Sequence, residues 1–376
     1  MGRSAMNGAI VHEWISATGG SEKVLDVMVD TFPDAAVWCL WNDVPEERYA
    51  GRQVHESWLA STPLRRSKPI ALPLMLATWR RLQGSKDTEW ILTSSHLFAH
   101  HARFKRSDAK KLAYVYTPAR YVWTPELDER GSGVLPRAAS PALKRIDKRR
   151  AGEAASMAAI SNFVRERISQ TWERDARVIY PPVDVLNMQE VDWNDRLSET
   201  EHDLLDQLPS SFVLGASRLV SYKRIDLALK CGEAASLPVV IAGSGPELAR
   251  LRALAEDLKI SVTFIPRPSD ALLYSLYMRA QVFAFFAIED FGIMPVEANA
   301  LGVPVIGQRQ GGVSETVTDG VSGALVEDPS SASEIRRAVD RCASVSSSDC
   351  RQHARKFDTS VFVREIRAWV DAEGRS

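Results

Sequence analysis

The sequence predicts an α/β protein built from two doubly wound domains, and three observations lead there. Short runs rich in Val, Ile, Leu and Ala recur in both halves of the 376 residues. Segments with helical apolar spacing separate them, the alternation that builds parallel sheets covered on both faces. A polar, acidic stretch over 185–210 parts the two series and reads as a linker region. The length itself favours two domains.

The first series places strands at 8–11, 37–40, 90–93, 111–116, 158–160 and 177–180. Each is an apolar run of strand length bounded by turn residues. Ser21 reads as the N-cap of a helix carrying Val24, Leu25, Val27 and Met28. Pro181-Pro182 stops the chain and closes a domain over 1–184. The second series places strands at 212–215, 239–243, 262–265, 282–287 and 303–306, in a domain over 211–355. Over 356–376, Val361, Phe362, Ile366, Trp369 and Val370 fall at helical spacing.

Composition is that of a soluble globular protein, 45% hydrophobic and 25% charged. The net charge of −1 hides an asymmetry. Residues 1–184 carry 27 Lys+Arg against 21 Asp+Glu, and residues 185–376 carry 20 against 27. The first half therefore tolerates an anionic surface better. The four cysteines are scattered, form no metal-ligand spacing, and read as reduced thiols of a cytoplasmic protein. The first six residues do not read as a signal peptide. No run approaches the roughly 20 apolar residues of a membrane span.

Chemistry concentrates between Glu289 and Glu297, in Glu289-Asp290-Phe291-Gly292-Ile293-Met294-Pro295-Val296-Glu297. A buried strand precedes this stretch. A short helix follows, with Pro295 in its first turn and Gly302 at its end. Glu289 thus falls at a strand's C-terminal end and Glu297 in the first helical turn. Ligands of open α/β sheets bind in that crevice. The amides of Gly292 and Ile293 suit an anion, while carboxylates accept from sugar hydroxyls. The combination suits a nucleotide sugar. Arg218 and Lys223 follow the first strand of the second series, and fixed cations there would stabilise a leaving diphosphate. Gly243 opens a glycine turn after the next strand, and Gly19 and Gly20 form another that opens the first helix, where the amides of Gly20 and Ser21 suit a phosphate. His12 stands at the end of the first strand.

Taken together, these motifs resemble the retaining glycosyltransferases of family four, in their order from about residue 9 to residue 326. The glutamate pair spaced around Phe-Gly is that family's signature. The resemblance implies the glycosyltransferase B (GT-B) fold, two Rossmann-like domains facing a central cleft, with a C-terminal helix crossing back to the first. It implies that Glu289 binds the donor sugar, Glu297 the ribose, and Arg218 with Lys223 the diphosphate. Amides of Phe291, Gly292 and Ile293 would contact sugar and phosphates. Gly19, Gly20 and Gly243 would border the donor, Arg267 would neighbour the base, and Gly311-Gly312 would support the site. Relatives commonly read Tyr-x-His-Thr-Pro-x-Arg-Tyr-x-Trp where this chain has Tyr114-Val115-Tyr116-Thr117-Pro118-Ala119-Arg120-Tyr121-Val122-Trp123. Tyr116 therefore stands where a sugar-contacting histidine is usual. Tyr116 and His12 are the candidates for the acceptor side. Pro266 replaces a usual glycine and removes one N–H near the base.

The reading that follows is a retaining, metal-independent hexosyltransferase with no cofactor beyond its nucleotide-sugar donor. GDP-mannose is the suggested donor, and a glycan or lipid-linked hydroxyl of a cell-surface polysaccharide or glycolipid the suggested acceptor. A UDP- or dTDP-sugar enzyme acting on a small natural product is one alternative, and a non-catalytic nucleotide-sugar-binding subunit another. Nucleic acid is not an expected partner. Residues 65–81 are apolar between basic ends, which suits peripheral contact with the inner face of a membrane or a buried helix with snorkelling arginines. No Asp-x-Asp pair, zinc spacing or P-loop occurs.

Overall fold

A computed structural model describes residues 7–123 and 134–375. The first six residues, read above as lacking a signal peptide, lie outside them. The chain divides into two compact units, with breaks at Pro182/Val183 and at Asp358/Thr359. The second unit is one continuous segment, and the first is completed by residues after it.

In the first unit the strands are β1 (Gly8–His12), β2 (Ala36–Cys39), β3 (Val54–Glu56), β4 (Trp90–Ser95), β5 (Lys110–Val115), β6 (Ser156–Ala159) and β7 (Arg177–Val178). They form one parallel sheet in the order β3-β2-β1-β4-β5-β6-β7. Every residue of β1 and β4 is buried, as expected for central strands with helices on both faces. β3 was not predicted: Val54-His55-Glu56 is a three-residue edge strand with no apolar run to betray it. The helix Thr359–Arg375 belongs to this unit. Phe362 meets the ring of Tyr114, Trp369 donates to Ser156 Oγ at 2.9 Å, and Arg367 donates to the carbonyl of Thr31.

The helix Lys68–Trp79, within residues 65–81, divides by face. Ala71, Met75 and Trp79 enter the core at helical spacing, whereas Ile70 (65% exposed) and Leu74 (37%) face solvent.

The second unit carries β8 (Val213–Ala216), β9 (Val239–Ala242), β10 (Val262–Ile265), β11 (Val282–Phe285), β12 (Val305–Gln308) and β13 (Gly323–Val326). They form a parallel sheet in the order β10-β9-β8-β11-β12-β13. Its core gathers Val213, Leu229, Ile241, Val282, Ile306 and Val326. The stretch 185–210 is not an extended linker. It holds the helices Val185–Glu190 and Glu199–Asp206 and lies within this unit. Ser198 and Glu201 form a reciprocal capping box that starts the second of these, and Val185, Met188 and Leu205 are buried. Polarity had masked a helix signal.

Candidate functional site

In each sheet one position separates strands that connect in opposite directions, and the crevice at their C-terminal ends is the usual ligand site. In the second sheet it falls between β8 and β11. Arg218 and Lys223 follow β8, and Glu289 follows β11. The structure brings Lys223 and Glu289 together as an ion pair, with side chains 12% and 26% exposed. Arg218 is exposed and donates to Tyr222 Oη at 2.7 Å.

The loops that carry these residues are tied to one another. Ser217 N–H donates to the Ala242 carbonyl, Leu219 N–H to Ser244, and Gly243 N–H to Ile265. Gly243 has φ +143°, and a Cβ there would lie 1.8 Å from the Ser217 carbonyl oxygen, so only glycine lets the two loops meet. Gly243 supports the Arg218 loop from below. Gly312 N–H donates to the Glu289 carbonyl at 2.8 Å, so the Gly311-Gly312 turn braces the acidic loop.

The helix after Glu289 runs Ile293–Ala300 and starts earlier than the sequence suggested. Gly292, at φ +95°, is its N-cap. Glu297 therefore stands in the second turn, not the first, and its placement owes little to the helix dipole. Its neighbours are Tyr274 and Tyr277, whose hydroxyls are pushed up by burial and then by the Glu297 charge. Phe291 is buried against Phe357. Arg267 is exposed and holds φ +49°. A side chain in the left-handed region costs about 1 kcal/mol.

In the first sheet the corresponding crevice falls between β1 and β4. Two expectations change there. His12 is fully buried, its Nδ1 is 3.0 Å from Ser94 Oγ, and burial lowers its pKa to about 4. It is a packed, neutral histidine and presents no ring to an acceptor. Tyr116 is half-buried; its hydroxyl lies 2.9 Å from Ser94 Oγ and donates to the Ser21 carbonyl at 3.3 Å. Burial raises its pKa. The helix Gly20–Thr31 is capped by Gly19 rather than Ser21. Its turn is filled from within: Ser16 and Ser21 donate to the Glu22 carboxylate, whose Oε2 lies 2.0 Å from where a Gly19 Cβ would be. Burial opposes ionisation of Glu22, but these hydroxyls and His12 lower its pKa. A phosphate approaching Gly19 and Gly20 would meet that negative charge, which argues against the phosphate contact expected there.

Sequence reasoning passed over Glu13 and His96. Glu13 is fully buried, and its Oε1 accepts backbone N–H groups from His96 (3.1 Å), Leu97 (2.8 Å) and Ala99 (3.0 Å). Burial alone would raise its pKa; His96, His12 and the amides overcome that and lower it. Its Oε2 lies 3.3 Å from His96 Nδ1, and the His96 side chain is 24% exposed. Ser94-Ser95-His96 directly after the apolar run at 90–93 was the available signal.

Deeper in the first unit, His100, His101 and Asp147 have metal-ligand chemistry within 4.8 Å of one another. Their geometry is that of a hydrogen-bond knot. Both Nε2 atoms contact Asp147 Oδ1, at 3.0 and 2.8 Å, and Trp123 and Trp172 both donate to Oδ2 at 2.7 Å. With its donors already supplied, the carboxylate is satisfied without an ion.

Residues 202–357 match the family model described as glycosyl transferases group 1. A D-inositol 3-phosphate glycosyltransferase of Mycolicibacterium smegmatis is 37% identical over 177 residues, 43% of this chain and 40% of that protein. This chain thus aligns with less than half of that relative's length. A GDP-mannose-dependent alpha-(1-6)-phosphatidylinositol monomannoside mannosyltransferase of the same organism is 28% identical over 273 residues, 68% of this chain and 67% of that protein. Among solved structures, Anabaena Alr3699/HepE in complex with UDP is similar with a TM-score of 0.71 and 19% identity, covering 97% of this chain and 100% of that one. That likeness establishes the GT-B fold. The family match lies on the unit that carries Arg218, Lys223, Glu289 and Glu297, so that unit resembles the group 1 glycosyl transferases at the residues that build its crevice.

Proposed function

We propose that the chain is a retaining, metal-independent hexosyltransferase that takes a sugar from a nucleotide donor to a hydroxyl of a glycan or lipid-linked acceptor. The observation that carries this reading is the Lys223–Glu289 pair at the β8/β11 crevice, with Arg218 on the same loop as Lys223. On this reading Lys223 and Arg218 offset the charge that builds on the departing diphosphate, the role a metal plays elsewhere. Glu289 orients the donor sugar. Glu297 accepts from the ribose diol. The amides of Phe291, Gly292 and Ile293 approach sugar and phosphates, Gly243 lets its loop approach the donor, and Arg267 neighbours the base.

GDP-mannose is the first donor to test, since one relative is named for it. The UDP bound to the solved neighbour keeps a UDP-sugar as the second. Thermal shifts with GDP, UDP, ADP and dTDP identify the base, because a ligand of the folded state raises apparent stability by mass action. Donor cleavage, with and without acceptor, tests turnover. Glu289→Ala is expected to slow it by about 100- to 1,000-fold. No cleavage of any nucleotide sugar with or without acceptor, together with unchanged donor affinity in Glu289→Ala, would sink the enzyme reading.

We also propose peripheral contact with an anionic membrane surface on the cytoplasmic side. Exposed Ile70, Leu74 and Trp58 lie among Arg66, Lys68 and Arg81, and all four cysteines are free thiols. No helix among the described residues is long and apolar enough to cross a membrane. Flotation with anionic liposomes should weaken when Arg65, Arg66, Arg80 and Arg81 are neutralised, and equal flotation would refute the contact.

A further inference from the structure

We propose that His96, oriented by Glu13, binds the acceptor hydroxyl at the C-terminal edge of β1 and β4, with Glu13 as its positioning residue. The proposal deepens the glycosyltransferase reading and rests on it for the name of the ligand, a polyol.

The argument runs from charge to tautomer. Glu13 is an ionised carboxylate in a site with no solvent, held by three backbone amides on Oε1. Its Oε2 and His96 Nδ1 are both buried and lie 3.3 Å apart, and neither makes a hydrogen bond to any other group. Two lone pairs facing each other there would repel. Nδ1 therefore carries a proton on the side facing Glu13, and in the uncharged ring the lone pair stays on Nε2. The edge of Trp14 fixes the ring, with centroids 5.0 Å apart at 82°. Trp14 is itself stacked on buried Trp41 and carries the Lys68 ammonium 3.9 Å from its ring centroid. His12 and Tyr116 flank the imidazole at 5.6 and 6.2 Å. The result is a partly exposed imidazole, fixed in direction, at the position where open sheets bind ligands. A hydroxyl group satisfies a lone pair of this kind; an anion does not.

Substituting Glu13→Gln tests the logic. The three amides retain the glutamine's carbonyl oxygen in place of Oε1, which turns its NH2 group toward Nδ1. Nδ1 must then accept, and the ring proton moves to Nε2. Imidazole nitrogen NMR of protein labelled at histidine should place the His96 proton on Nδ1 in the wild type and on Nε2 in Glu13→Gln. Myo-inositol or methyl α-mannopyranoside, used as polyol probes, should shift the His96 Nε2 signal in the wild type. Their binding, followed by saturation transfer, should fall at least tenfold in His96→Ala. In His96→Gln, whose amide oxygen can stand near the Nε2 position, it should stay within about threefold. The Gln and Ala variants keep the test open if Glu13→Gln does not fold. A wild-type proton on Nε2, an unmoved tautomer in folded Glu13→Gln, or a His96 signal unaffected by either polyol would each overturn the proposal. Nucleotide-induced thermal shift in the same variants reports on the donor reading independently, so the two can fail separately.

Discussion

The two sheets offer the same crevice and fill it in opposite ways. At β8/β11 the charged groups stand on loops and remain partly exposed, Lys223 with Glu289 and Arg218 beside Tyr222. At β1/β4 the polar groups are largely spent on one another: His12 on Ser94, Ser94 on Tyr116, Glu22 on Ser16 and Ser21, Glu13 on three amides. Buried polar groups must be satisfied internally, whereas groups at a partly wet edge can exchange water for a ligand. The second crevice is therefore equipped to meet a charged, variable ligand. The first is a hydrogen-bonded frame with a partly exposed imidazole, His96, at its edge.

The sharpest way to break this contrast is to remove the centre of the first unit's network. Asp147→Ala leaves two indole N–H groups and two imidazoles without their acceptor. A loss of about 3–5 kcal/mol is expected, as for other buried partners removed singly. Denaturant unfolding measures it, and a loss below about 1 kcal/mol would mean the knot is not a stabilising centre.

Acid should separate the units next. Burial lowers His12 and His101 to about 4 in the first unit and His353 to about 4 in the second. Unfolded histidine titrates near 6.5, so between pH 6.5 and 4 the unfolded state binds more protons and stability falls as pH falls. The loss is at most about 1.4 kcal/mol per pH unit for each histidine. Asp147 is held low by His100 and His101 against the opposing effect of burial, so its contribution persists to lower pH. Hydrogen exchange at pH 7 and pH 5 should show β1 and β4 losing protection before β8 and β11. The reverse order would contradict the contrast.

The smallest effect concerns Tyr116. Tyr116→Phe removes its hydroxyl from Ser94 and from the Ser21 carbonyl, at a cost of about 1 kcal/mol. A matching drop in melting temperature with unchanged nucleotide binding would assign this hydroxyl to the frame of the first unit. A change in donor preference instead would make Tyr116 a sugar contact.

Much of this was legible in the residues, and the gaps have physical causes. Apolar runs gave the central strands because buried parallel strands are continuously hydrophobic; β10 was placed at its observed bounds, 262–265. The edge strand β3 lacks such a run, whereas β13 carries a short one, Gly323-Ala324-Leu325-Val326, that went unread. Lys223 and Glu289 were named as neighbours of one ligand, but their direct pairing was not visible, because 66 residues separate them. His12 was singled out for its position at a strand end. The imidazole that reaches the surface is His96, which sits 84 positions along the chain and becomes its neighbour only through the β1–β4 register. Glu22 lay in plain view beside the glycine turn. That its carboxylate folds back beneath Gly19 is a matter of side-chain direction, which spacing does not encode.

The helix Thr359–Arg375 has a consequence for the order in which the chain acquires its form. It supplies Phe362, Ile366, Trp369 and Val370 to the first unit's interior, yet it follows the whole of the second unit in sequence. During synthesis the second unit is the first to have all of its residues, and the N-terminal sheet waits on the ribosome with part of its interior uncovered. Domains usually mature from the N-terminus; here the schedule is inverted. Nascent chains arrested with residue 358 just outside the exit tunnel should resist protease across β8–β13 while remaining open to cleavage across β1–β7.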